Sequence, residues 1–202
     1  FKALADLSVK KMLGENTALY MSKLTYTNLI RLKVISAITL LVFFFFWIWD
    51  VALYWEGKWS ESFGHQIVAL AHSFLIVFLI GLQIFFIKHT PKSPEAVKPY
   101  HGAVCTGVLA VVLYCTNFIA LGDVLTHNSI AAYLGMIFAY ASIFIMTNQF
   151  SFILFGSNMI IMVVLLVMVH LKLGLSIDNQ TANTIAFTIP AFIFSRVLFY
   201  YD

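Results

Sequence analysis

About six continuous apolar runs, each of roughly 20 residues, occupy most of this 202-residue chain. Runs of that length match the ~30 Å hydrocarbon thickness of a bilayer when wound as α-helices. They lack the period-two alternation of a barrel strand, and lipid offers backbone groups no other partners, so helices are the remaining solution. Residue content agrees. With 61% hydrophobic and 10% charged residues, against about 25% charged in an ordinary soluble domain, the chain cannot cover its surface with ions. The expected fold class is all-α: a six-transmembrane-helix bundle with an amphipathic cytoplasmic N-terminal helix. The connections are too short to hold an extramembrane enzyme domain.

Residues 1–27 differ from the rest. They carry Lys2, Lys10, Lys11, Lys23, Asp6 and Glu15, with Leu4, Leu7, Met12, Leu19 and Met21 near helical spacing, as in a lead-in lying along a membrane face. Gly14 and Asn16 interrupt it. The transmembrane domain, 28–202, is expected to span at 28–55, 65–88, 100–122, 129–147, 152–171 and 182–201. Little more than residues 148–151 joins the fourth span to the fifth, which predicts an antiparallel hairpin. The chain begins with Phe1 and not Met, and reads as a fragment of something longer.

Lysine and arginine placement sets the expected orientation. With six spans, Lys2, Lys10, Lys11, Lys23, Arg31, Lys33, Lys88, Lys92, Lys98 and Arg196 fall on one side, and only Lys58 and Lys172 on the other. Both termini are then cytoplasmic, in the cell membrane. The net charge of +3 follows from this asymmetry, and no basic patch with interleaved aromatics suggests nucleic acid.

Polar residues inside membrane helices are costly and invite a functional question. Under this topology they gather at the outer end. Asp50 precedes the exit of the first helix; His65 and His72 share a face of the second; Asn117 and Asp123 close the third; His127 and Asn128 open the fourth; His170 ends the fifth. Trp47, Trp49, Trp55 and Trp59 cluster at the same end. An interfacial aromatic belt accounts for them, but the inner face has no Trp, so an aromatic-walled outer pocket is expected as well. The candidate ligand-binding residues are Trp47, Trp49, Asp50, Trp55, His65, His72, Asn117 and His170. His72 sits deep enough to need a partner such as Asp50 or Asn117, whether for a ligand or for helix packing. An amine or neutral aromatic ligand suits Asp50 and the rings best.

No metal or cofactor is expected. His65 and His72 lie about 10 Å apart along a helix, too far for one ion, and His72 has no mate at its depth to clamp a haem. Cys105 and Cys115 lie about 15 Å apart and read as small buried apolar residues. No nucleophile elbow, zinc-protease motif or phosphate loop is present, so no catalytic residue is assigned. Ala131, Gly135 and Ala139 form a small-residue stripe, a candidate packing face. Pro190 falls inside the sixth span and predicts a kink.

The lead-in with Glu15 and Asn16, the Leu29, Arg31, Leu32, Lys33 start of the first span, and the terminal Asn183–Phe187, Phe194–Arg196 and Tyr200–Asp202 stretches complete the pattern. It resembles the six-helix N-terminal membrane sensor modules of bacterial diguanylate cyclases of Gram-positive type. The resemblance covers the layout of the whole chain but only these short stretches in residues. It implies a sensor or receptor passing a signal to a cytoplasmic output domain, and a homodimer. The cyclase Gly-Gly-Asp/Glu-Glu-Phe loop does not occur here. Two other classes fit the residues: a substrate-binding membrane subunit of a transporter, and an assembly subunit with no ligand beyond membrane lipids.

Overall fold

The computed structural model describes residues 17–201, and within them the chain is helical with no strand. Residues 1–16, which hold most of the expected lead-in, lie outside the described residues. The elements are α1 (Thr17–Trp55), α2 (Lys58–Glu61), α3 (Phe63–His89), a 3-10 turn (Pro94–Ala96), α4 (Pro99–His127), α5 (Ala131–Ile143), α6 (Asn148–Leu173) and α7 (Asp178–Tyr201). No break separates residues 17–27 from the first span; α1 is one helix of 39 residues.

Among the described residues, four helices are long and apolar enough to cross a membrane: α1, α3, α4 and α6. Of the other three, α2 is a single turn of four residues, and α5 and α7 differ for separate reasons. Helix α5 has 13 residues, about 20 Å, shorter than the hydrocarbon core. Helix α7 has 24 residues but a polar stripe: Thr184, Thr188 and Ser195 are buried, and both threonines return their hydroxyls to carbonyls one turn back, at Gln180 and Thr184. Tyr133 meets Thr188 at 2.9 Å, so the stripe turns into the bundle, away from lipid.

The expected fourth span, 129–147, is interrupted. Helix α5 stops at Ile143, and Phe144, Ile145 and Met146 continue as buried, non-helical backbone. Side chains distant in sequence take up its polar groups. Asn28 donates to the Ile145 carbonyl at 2.6 Å and accepts from the Ile145 N–H at 3.2 Å. Arg31 donates to the carbonyl of Ile143 and Arg196 to that of Met146. Irregular backbone at membrane depth is tolerated where protein supplies such partners.

The expected α5–α6 hairpin is also corrected. Helices α5 and α6 share no substantial interface; α4 and α7 each pack against both. A close helix contact lies between α3 and α4, where a Cβ on Gly64 would stand 2.7 Å from the Gly122 carbonyl oxygen. Glycine at both positions permits this approach. The stripe at Ala131, Gly135 and Ala139 is not such a contact: nothing lies within 4 Å of a Cβ built on Gly135.

At the opposite end, His101 fastens the loop before α4. Its Nδ1 accepts from the Lys98 N–H and its Nε2 meets the His89 carbonyl, both at 2.9 Å, which requires the Nε2–H tautomer. Ser22 of α1 donates to the Pro94 carbonyl, seating the loop on α1.

Candidate functional site

The sequence of α1 places Ile38, Val42, Phe46 and Trp49 on one helical face, with Phe43 and Asp50 turned further inward. Facing them, α4 contributes Thr116, Ile119, Asp123, Thr126 and His127. With His65, Val68 and His72 of α3 and Gly135 and Met136 of α5, these residues line a cavity of about 510 Å³. Ligand sites are commonly 300–1,000 Å³.

Asp50 and His72 form the polar core of this cavity. His72 Nδ1 lies 2.7 Å from Asp50 Oδ2, and both side chains are 7% exposed. The rings of Phe43 and Phe46 stand 5.4 and 5.6 Å from the imidazole. Among the described residues, neither Asp50 Oδ1 nor His72 Nε2 has a hydrogen-bond partner. Trp59 holds Asp50 from behind, donating from its indole to the Asp50 carbonyl at 3.1 Å, and Gln66 donates to the Trp59 carbonyl. The short α2 thereby folds the loop back over the pair.

The other expected site residues divide. Trp49 and His65 line the cavity. His65 approaches His127 with ring centroids 6.3 Å apart, at the end where α3 begins and α4 ends. Trp47, Trp55 and His170 do not line it. Trp47 donates to Ser73 at 2.9 Å, Trp55 is exposed beside Tyr54, and His170 closes the end of α6 through the Leu175 carbonyl.

Asn117 is fully buried but faces away from the cavity, and neither amide atom has a partner. The cavity is lined instead by Thr116, its neighbour on the helix. Asn158 of α6 donates to the Leu113 carbonyl, one turn before Asn117, a hydrogen bond across the α4–α6 contact.

The third span, expected to end at residue 122, runs on: α4 is helical to His127 and includes Asp123. Asn128 ends it with φ 52°, in the left-handed region. Asp123 and His127 therefore join the cavity, with Phe43, Phe46, Thr126, Gly135 and Met136, none of which the sequence reading singled out as ligand-binding. The four-residue spacing of Asp123 and His127 on an extended third helix is the signal that could have found them.

Among the described residues no three His, Cys, Asp or Glu side chains converge to hold a metal ion. Cys105 is buried and Cys115 partly so, both as free thiols. The arrangement can therefore bind: an aromatic and aliphatic trough with two carboxylates and three imidazoles at one end. Comparison of the chain with protein-family models, curated proteins and solved structures gives no match.

Proposed function

We propose that this chain is a six-span membrane sensor module that binds a small ligand at its outer end and signals to a cytoplasmic output domain of diguanylate cyclase type. In this reading α5 with its unwound continuation, and α7 with its inward polar stripe, complete the six passes. The bias of lysine and arginine puts both termini in the cytoplasm. The observation that carries the reading is the buried Asp50–His72 pair opening onto the 510 Å³ cavity. A buried pair with unused polar atoms is costly to keep in a helix contact that needs only shape. A ligand shifts such a module only if it prefers one helix arrangement. Helices α1 and α4, which bound the cavity, supply the means. Cyclase-type outputs act as pairs, so the module is a homodimer.

The test is a thermal-shift screen of metabolites on the protein in nanodiscs, with Asp50→Asn as the control. A ligand whose stabilisation disappears in Asp50→Asn supports the receptor, and a monomer in lipid argues against the output mechanism. Sequencing the parent gene beyond Asp202 decides whether a cyclase domain follows.

A second reading, the substrate-binding membrane subunit of a transporter, draws support from the interruption at residues 144–147, since transporters commonly place broken helices at their sites. Copurification of an ATP-hydrolysing complex would favour it.

A further inference from the structure

We propose that the occupant of this cavity is a single-chain amphiphile with a protonated amine head, entering sideways from the outer leaflet. The inference rests on the receptor reading and names its ligand class. Three observations carry it.

The first is shape. Along α1 the lining runs from Leu53 to Ile38, sixteen residues spanning about 22 Å, so the cavity is a trough along that helix. An extended chain fits a trough better than a compact solute does.

The second is the distribution of polarity. Asp50 lies about one turn from Leu53 on α1, His72 meets it from α3, and His65, Asp123 and His127 lie where α3 begins and α4 ends, the same end of the bundle. Towards Ile38 the walls are apolar apart from Thr39 and Thr116, and the Thr116 hydroxyl is spent on the Val112 carbonyl. One end suits a head group and the other a hydrocarbon tail.

The third is the open side. Ile38, Val42, Phe46 and Trp49 line the trough and are also exposed at the protein surface. Gly135 on the facing wall is exposed too, with nothing within 4 Å of a Cβ there. Helices α1 and α5 flank the trough without a substantial interface of their own. In a membrane that side faces lipid, so the trough is continuous with the hydrocarbon.

The charge of the head follows from the carboxylates. Asp50 and Asp123 would repel an anion, which could be held only by protonating the histidines. An ammonium group finds a counter-ion in Asp123 and in the unpartnered Oδ1 of Asp50. Desolvation makes a counter-ion necessary, and the trough supplies it.

The test uses the protein in phosphatidylcholine nanodiscs titrated with radiolabelled dodecylamine, with empty discs subtracted. Saturable binding is expected at about one per chain. Asp123→Asn should weaken it about tenfold, as loss of a charge-assisted partner does. Gly135→Leu should abolish it by filling the trough, while its unfolding midpoint stays at that of the unaltered protein. Unlabelled dodecanol, dodecanoate and butylamine should compete poorly. Equal competition by dodecanol or dodecanoate would overturn the amine head, and equal competition by butylamine would overturn the chain; either leaves the receptor reading standing. If none of the four binds saturably, and Gly135→Leu leaves every thermal shift of the metabolite screen intact, the trough is not the site and both readings fall.

Discussion

His72 Nδ1 and Asp50 Oδ2 lie 2.7 Å apart between α1 and α3, joining two helices through a pair almost closed to solvent. Removing the imidazole leaves the nearly buried carboxylate without its partner. His72→Ala should therefore lower stability by about 1–3 kcal/mol. His89→Ala, at an exposed ring, should cost clearly less. Thermal unfolding of both in one detergent, with a double-mutant cycle on Asp50→Ala, measures the coupling; equal losses for the two histidines would contradict a buried pair.

Asn28 makes two hydrogen bonds with the backbone of Ile145, one donated and one accepted. An aspartate there could still accept but would set an oxygen against the carbonyl. Asn28→Asp should be more damaging than Asn28→Ala, each costing about 1–3 kcal/mol. Hydrogen exchange at the Ile145 amide is the direct readout, and it should accelerate in both variants. Unchanged protection would show that Arg31 and Arg196 hold the segment without Asn28.

The two glycine environments predict opposite outcomes. A Cβ on Gly122 would stand 2.3 Å from Val68 Cγ2, so Gly122→Val must push α3 and α4 apart, at about 1–3 kcal/mol. Gly135→Ala places its methyl in open space and should be neutral or slightly stabilising, since alanine favours the helix by roughly 1 kcal/mol. Unfolding midpoints of the two variants compare them directly.

The proposed orientation is checked by labelling. Ser60 is exposed in α2 and Lys92 is exposed in the loop between α3 and α4. Ser60→Cys should react with a membrane-impermeant thiol reagent in intact cells, and Lys92→Cys only after the cells are opened. The reverse result would invert the topology and place the trough's polar end in the cytoplasm.

Much of this protein is determined locally. Long apolar runs dictate helices because lipid leaves backbone groups no other partners, and α1, α3, α4 and α6 follow from that alone. That His72 needs a partner such as Asp50 was also legible from its position along an apolar helix. The facing of side chains was not. Thr116 and Asn117 are adjacent, yet one lines the trough and the other is turned away, a choice made by how α4 rotates against α1 and α6. Trp49 and Trp47 divide in the same way. The end of α5 at Ile143 depends on Asn28, Arg31 and Arg196, partners fifty or more residues distant, and no local pattern near Ile143 announces them. Periodicity fixes which residues share a helix face, but only the packing of one helix on the next decides whether that face meets protein, lipid or a cavity.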